Sequence, residues 1–482
     1  MKKWIVFATI LLVSMLLLEA SILSVDAKHK CRKPKKWKHM GLVYKECYTA
    51  ETNITYITNS NVLADDPNIS LTFTLTKGQV ALILYTVENG INVGSSHYGG
   101  RQGIMVDGVD VAGQRESHRA NGGRGGDATV IYAALLTAGP HVVKGRLATN
   151  LALAFTTVFN TRKMIVLIFD GTAADFAFVE SLVVDTSNVA VLGNDAPAVI
   201  NLNLPTAQKA LILYATTTFY NAAGPDTTNG RKMTVAVDGV DGNVTMQGNA
   251  YYVAGVACPE TEFYAEVRTL SAGVHTIQGR HACNVGGGTS RIDERQLAVL
   301  LFDTTLETDY AESLNSVSVI GNALGDDTPA QVSRNIPATR YLLAIYCASK
   351  RYNVDHTDSG QKLAINLNGT DYSTVQRCCQ GAGVPPIIAE RVDSTEIDFL
   401  GVAAGNYTVK GRFASLTGAP DQATVNARTF SLLWFSSLTP PPPPPLDAQE
   451  TQSAQQVTNQ TTFGMTRLRM RRRITRIIPW VA

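Results

Sequence analysis

The sequence predicts an all-β chain of three tandem antiparallel β-sandwich domains followed by a disordered basic tail, and three observations carry that prediction. First, a block recurs at a period of about 130 residues: Val106-Asp107-Gly108-Val109-Asp110 returns as Val237-Asp238-Gly239-Val240-Asp241 and, altered, as Leu367-Asn368-Gly369-Thr370-Asp371. Second, its neighbours recur in order. Ala81 to Tyr85, Ala210 to Tyr214 and Leu342 to Tyr346 come before it, and Gly145-Arg146, Gly279-Arg280 and Gly411-Arg412 follow. Third, short apolar runs alternate with Gly, Asn and Asp turns, and long helical periodicity is absent. A repeat of this length is a whole domain triplicated, not a solenoid unit. Each copy is large enough to bury a core of its own.

In chain order, Lys2 and Lys3 precede an apolar stretch from Trp4 to Leu18, and Val25-Asp26-Ala27 places small residues where a signal peptidase cuts. Residues 1–27 therefore read as a secretory signal peptide. The stretch is shorter than the roughly 20 residues that span a bilayer, with an uncleaved anchor as the alternative. The expected location is secreted or at the extracellular cell surface.

Residues 28–48 form a basic, cysteine-containing arm. Lys28 to Lys45 holds eight Lys or Arg and no acid, and Thr451 to Ala482 holds six Arg and no acid. The overall charge of +2 thus conceals an acidic body between two basic ends. That pattern suits contact with polyanions or with an acidic neighbour. The plainer reading is two solvated ends.

Seven cysteines in an exported chain point to disulfides with one thiol left over. Cys31 and Cys47 bracket the arm. Cys258 and Cys283 lie nearly equidistant from Ser271-Ala272-Gly273, which predicts that they face each other across a hairpin. Cys347 and Cys378 are candidates in the third copy, where Cys379 adjoins Cys378 and one of the three remains unbonded or bonds between chains. Zinc is the rival reading, but no Cys-x-x-Cys or His-x-x-x-His spacing supports it.

The repeats are placed at residues 49–180, 181–312 and 313–438. The apolar runs Val80 to Thr86, Ala210 to Ala215 and Tyr341 to Ala348 read as buried strands. Asp107-Gly108, Asp238-Gly239 and Asn368-Gly369 each predict a type I′ hairpin turn, which needs positive φ at both central residues. Ala-Gly-x at 138, 272 and 404 supplies a second turn per copy. Arg162, Arg295 and Arg428 open the last apolar run of each copy.

The ordered set of aliphatic strand, Val-Asp-Gly hairpin, Leu-x-Ala-Gly-x-His strand and terminal Arg-x-Leu-x-Val-Leu-Leu strand resembles the tandem jelly-roll modules, similar to tumour-necrosis-factor and C1q-like domains, of microbial and phage surface proteins. The resemblance covers residues 49–438. The third copy departs most, with Tyr407 for His and Asn-Gly for Asp-Gly. It implies a binding or structural module, commonly trimeric. Here three copies on one chain would supply a pseudo-trimer, while a linear row fits the sequence equally well.

No repeated catalytic set is legible. His141 and His275 are matched by Tyr407, so they read as packing or hydrogen-bonding residues. Arg146, Arg280 and Arg412 recur in all three copies, as do Arg162, Arg295 and Arg428, and ion pairs with the repeated acids Asp110, Asp241 and Asp371 are the simple explanation for some of them. Asp65, Asp66, Asp195, Asp326 and Asp327 recur at the start of each copy, where calcium is an alternative, although the spacing of a calcium loop is missing. Tyr98, Tyr220, Tyr251, Tyr252, Tyr352 and Tyr372 are candidate sugar-stacking residues. Sequons at Asn53, Asn68, Asn243, Asn368, Asn406 and Asn459 mark candidate glycosylation sites.

Residues 439–446 form a polyproline linker, a semi-rigid spacer. Residues 447–482 join a disordered polar segment to an Arg-rich tail in which Arg467, Arg469, Arg471, Arg472, Arg473 and Arg476 are candidates for binding an anionic surface. The functional expectation is a secreted or cell-surface structural or adhesive protein that is not an enzyme and uses no cofactor or metal. A lectin-like carbohydrate-binding protein is the alternative, and a hydrolase of wall polymers a third reading. Expected partners are the chain itself, glycans, cell wall or anionic membrane, and not nucleic acid.

Overall fold

The computed structural model describes residues 41–92, 100–115, 124–149, 156–221, 231–242, 246–248, 258–283, 289–353, 361–372, 390–415 and 422–436. The signal segment, the arm up to residue 40, the linker and the tail lie outside them. Among the described residues the regular structure is all strand.

Copy 1 comprises β1 (Val43–Thr52), β2 (Tyr56–Thr58), β3 (Ala64–Leu75), β4 (Gln79–Asn92), β5 (Gly100–Val106), β6 (Val109–Arg115), β7 (Arg124–Leu136), β8 (Gly139–Thr149) and β9 (Thr156–Asp170). Copy 2 comprises β10 (Phe176–Ser181), β11 (Asp185–Ser187), β12 (Gly193–Leu204), β13 (Gln208–Asn221), β14 (Arg231–Val237), β15 (Val240–Asp241), β16 (Met246–Gly248), β17 (Cys258–Leu270), β18 (Gly273–Cys283) and β19 (Thr289–Phe302). Copy 3 comprises β20 (Glu307–Ser313), β21 (Val317–Ile320), β22 (Gly325–Ile336), β23 (Arg340–Asn353), β24 (Gln361–Leu367), β25 (Thr370–Asp371), β26 (Glu390–Val402), β27 (Gly405–Ser415) and β28 (Gln422–Ser436).

Each copy has two antiparallel sheets. In copy 1 their orders are β1-β9-β4-β7 and β3-β8-β5-β6, and the other copies repeat both as β10-β19-β13-β17 with β12-β18-β14-β15 and β20-β28-β23-β26 with β22-β27-β24-β25. This is the interleaved order of a jelly roll, in which the chain crosses repeatedly between facing sheets and stays in one sheet at the β5–β6 hairpin and its counterparts. Pairing also settles where the copies meet. β1 includes Cys47, which the sequence places in the arm, and β10 and β20 belong to the copies that follow them.

The turns behave as their composition demands. Asp107 and Gly108 have φ of 51° and 86°, Asp238 and Gly239 54° and 80°, and Asn368 and Gly369 50° and 90°. The second set of turns differs from expectation: β17 pairs with β13 while β18 pairs with β12 and β14, so Ser271-Ala272-Gly273 bridges the two sheets and does not close a hairpin. Cys258 lies in register with Tyr220 and Cys283 with Arg231, which removes the geometric ground for facing them across a ladder.

Burial separates the two sheets. β8 alternates, one face to the core and one to water, whereas Val80 to Val87 of β4 are buried without interruption. A strand buried on both faces needs a second apolar neighbour, and the other copies supply it. Ala81, Ile83, Tyr85, Met164, Val166 and Ile168 fill the sandwich of copy 1. Val80, Leu82, Leu84, Ile165, Leu167 and Phe169 join a core shared with copies 2 and 3. Copy 3 divides likewise: Leu342, Ala344 and Tyr346 face its own sandwich, Leu343, Ile345 and Cys347 the shared core. Phe169, Phe302 and Phe435, equivalent residues of β9, β19 and β28, meet there with ring centroids 5.6, 5.7 and 5.8 Å apart.

Candidate functional site

Two repeated polar systems lie within the copies, and one that varies lies between them. The first is a buried triad. Tyr85 donates to Asp66 Oδ2 at 2.8 Å while Arg162 Nε reaches the same carboxylate at 2.6 Å. Tyr214 and Arg295 hold Asp195 at 2.5 and 2.9 Å, and Tyr346 and Arg428 hold Asp327 at 2.6 and 2.7 Å. All three ion pairs are fully buried. Each guanidinium also donates to main-chain carbonyls, Arg162 to Ile54, Phe159 and Asn160 and Arg428 to Asn315 and Val425, so the charge is spread over partners in place of water.

Burial pushes the Asp195 carboxyl up to about 6, against the pull of Arg295 and Tyr214, and raises Asp327 likewise against Arg428 and Tyr346. The triad explains the recurrent glycine before Arg146, Arg280 and Arg412. A Cβ at Gly145, Gly279 or Gly411 would stand 2.6, 2.6 or 2.7 Å from the ring of Tyr85, Tyr214 or Tyr346.

The second system caps the hairpins. Asp107 accepts from the Val142 amide at 2.8 Å and bonds His141 Nδ1 at 2.7 Å, and His141 Nε2 meets the Thr137 carbonyl at 2.9 Å. Asp238, His275, Thr276 and Ser271 repeat this. Burial opposes the charge on His141, but the Thr137 carbonyl and Asp107 outweigh it and raise its pKa; Asp238 and the Ser271 carbonyl raise that of His275. In copy 3 the neutral Asn368 does the capping through its amide, accepting from Thr408 N and donating to Asn406 O.

Nearby, Arg146, Arg280 and Arg412 pair with Asp110, Asp241 and Asp371 at 3.0, 3.4 and 2.8 Å, so of the two recurring arginine sets it is this one that takes those acids. Asp65 and Asp326 are taken by Arg146 with Lys144 and Arg412 with Lys410. The recurring acids considered for calcium are thus engaged by cations. Among the described residues no group of three or more His, Cys, Asp or Glu is placed to hold a metal.

The varying system lies at the three seams between copies. Strand register makes Lys163, Gln296 and Thr429 equivalent, each beside a glutamate of the neighbouring edge strand: Glu51, Glu180 and Glu312. It also makes Ile131, Ala265 and Ile397 equivalent. Copy 1 meets copy 3 where buried Lys163 Nζ lies 2.7 Å from Asp398 Oδ1, 3.1 Å from Glu396 Oε1 and 3.2 Å from the Ile397 carbonyl. Burial opposes the ammonium charge, and the two carboxylates more than restore it.

Copy 2 meets copy 1 through neutral donors. The Ile131 amide donates to Gln296 Oε1 at 2.9 Å, Gln296 Nε2 to Glu180 at 3.0 Å, and Tyr132 packs edge-on against Phe178. Burial raises the Glu180 carboxyl. Copy 3 meets copy 2 through Ser431, whose hydroxyl donates to the Ala265 carbonyl at 3.4 Å, with Tyr264–Glu266 and Tyr310–Glu312 hydrogen bonds beside it. The three contacts run in one cyclic sense, each copy's last strand reaching the same position on the edge strand of another. The glutamates before Thr52, Ser181 and Ser313 were the available sequence signal, a repeated acid followed by a hydroxyl residue.

Of the disulfide candidates, Cys47 is half-buried in β1, its thiol raised by burial, and carries no disulfide among the described residues; Cys31, Cys378 and the Cys258 side chain lie outside them. Cys283 is buried and its thiol donates to the Ser187 carbonyl at 3.2 Å. Cys347 is buried in the shared core. Asn53, Asn368 and Asn406 are exposed and Asn68 is half-buried; Asn243 and Asn459 lie outside the described residues, as do the six tail arginines from Arg467 to Arg476. Tyr372 is exposed, while the other candidate sugar-stacking side chains lie outside.

No family model matches this chain, and no curated protein matches it. Among solved structures, a likeness to PNGF-II covers 74% of this chain and 100% of the other at 10% identity and a TM-score of 0.26. PNGase F, a glycosylasparaginase from Flavobacterium meningosepticum, gives 54% and 97% coverage at 12% identity and a TM-score of 0.27. The Gx strain of infectious bursal disease virus gives 82% and 82% at 8% identity and a TM-score of 0.19. Likenesses of this size carry no argument about this chain's fold or function.

Proposed function

We propose that this protein is a secreted or cell-surface structural or adhesive protein, a pseudo-trimer of jelly-roll modules on one chain that acts as a binding or load-bearing body and turns over no substrate. The observation that supports this reading is where the recurring polar residues go. The repeated Tyr, Asp, Arg and His side chains are spent on core ion pairs and turn caps inside each copy. The basic tail, held off by the proline spacer, is proposed as the attachment to an anionic surface, and the sequons as glycan acceptors.

The test compares the full chain with a chain ending at residue 446 on vesicles of mixed neutral and anionic lipid. The full chain is expected to bind and to release steeply with salt, because exposed charges are screened beyond about 10 Å at 0.1 M. Equal retention of both chains at every salt concentration would remove the tail as the attachment. A parallel incubation with wall polysaccharides reads saturable binding against product release, and product formed by the purified chain would overturn the structural reading.

A further inference from the structure

We propose that Lys163 and Asp398 form an intramolecular isopeptide bond, with Glu396 as the proton carrier, which covalently fastens copy 1 to copy 3. The three side chains are buried together at one seam: the Lys163 side chain is 10% exposed, Glu396 2% and Asp398 7%. Lys163 projects from β9, and Glu396 and Asp398 stand two residues apart on β26. The amine nitrogen is 2.7 Å from Asp398 Oδ1 and 3.1 Å from Glu396 Oε1, so nucleophile, electrophile and proton relay are already in contact.

One further observation favours condensation over a resting ion pair. Asp398 Oδ2 is buried with no hydrogen-bond partner among the described residues. A buried oxygen left so is unfavourable where it stands.

The step balances without a co-reactant. Lys163 Nζ passes one proton to Glu396 and, as an amine, attacks Cγ of Asp398. Glu396 delivers that proton to a carboxyl oxygen of Asp398, accepts a second from the nitrogen, and delivers it to the same oxygen. The C–O bond breaks, water leaves, and the nitrogen keeps one hydrogen as an amide. No electrons are exchanged. One positive and one negative charge vanish, and Glu396 remains as the single carboxylate. The equivalent seams offer no such chemistry, since Gln296 and Thr429 stand where the amine does.

The experiment is peptide mapping of the full-length protein after reduction, denaturation and deglycosylation. The expected result is a branched peptide joining the segment that contains Lys163 to the one that contains Asp398, lighter than their sum by one water molecule. Finding both segments only as separate, linear peptides would overturn the proposal, and this readout on the unaltered chain does not depend on any variant folding. In Glu396→Gln, whose side chain keeps the shape but carries protons poorly, the two segments are expected to be linear while the far-ultraviolet circular dichroism stays unchanged. A fully branched Glu396→Gln protein would overturn the assigned mechanism.

Discussion

Inside the copies and between them, the same fold uses polar residues in opposite ways. The interior repeats itself: Tyr85–Asp66–Arg162 is rebuilt as Tyr214–Asp195–Arg295 and Tyr346–Asp327–Arg428. The seams do not repeat. One position holds Lys163 against two acids, another Gln296 against an amide and Glu180, and the third Ser431 with tyrosine–glutamate pairs. A sandwich needs its internal device in every copy. A ring of three needs each edge to accept one neighbour and refuse the other, and mismatched charge or hydrogen bonding at a buried contact provides that refusal.

The largest expected effect comes from breaking an interior triad. Arg162→Met strands the buried Asp66 carboxylate and is expected to cost about 3–5 kcal/mol. Because Val80, Leu82 and Phe169 of the same copy belong to the shared core, calorimetry of the full chain should show one transition lowered as a whole. A separate low-temperature transition would show that the copies melt independently and that the seams couple them weakly.

Phe302→Ala probes the shared core and is expected to cost about 3–5 kcal/mol if the rings beside it do not close the gap. The far-ultraviolet spectrum should remain that of a β protein. Gly279→Ala comes next: its Cβ would meet the Tyr214 ring at 2.6 Å, an overpacking expected to cost about 1–3 kcal/mol by denaturant melting. Gln296→Leu keeps the bulk but leaves the Ile131 amide without its acceptor, for an expected loss of about 1–3 kcal/mol.

The smallest effect follows pH. His141 and His275 are raised from an ordinary 6.5 and their partners Asp107 and Asp238 lowered from 3.8. The histidine contribution is complete below 6.5 and is lost as pH rises through the folded value. The aspartate contribution is present above 3.8 and lost as pH falls through the folded value. Nuclear magnetic resonance titration should place both histidines above 6.5, and Asp107→Asn should return His141 toward it. An unchanged His141 titration would mean that the contact is not formed in solution.

How much of this was legible depends on period and on partner. The hairpin turns were, because Asp107-Gly108 has few other uses between apolar residues. The buried strands were legible as buried, yet the run from Val80 to Val87 does not say that its two faces meet different neighbours. That recurring arginines pair with Asp110 and its equivalents could be read from co-recurrence, but not which set does so: Arg162 has no acid next to it in the chain, and its partner Asp66 lies 96 residues away. The seams were hidden for a stronger reason. Their residues differ in each copy, so a search for repetition passes over them, and the contact between Lys163 and Asp398 bridges 235 residues.

That distance bears on how the molecule is made. The chain emerges from synthesis N-terminus first, and the inner sheet of copy 1 is complete once β9 has formed, yet the strand that covers Lys163 belongs to copy 3. At the other side, the Leu42 amide waits for the Leu301 carbonyl of copy 2. Copy 1 therefore spends the rest of elongation with an apolar sheet face open to water, where sequence-distant contacts form slowly and invite association with other unfinished chains. The contact of Lys163 with Glu396 and Asp398 gives the late-arriving third copy an address on the first.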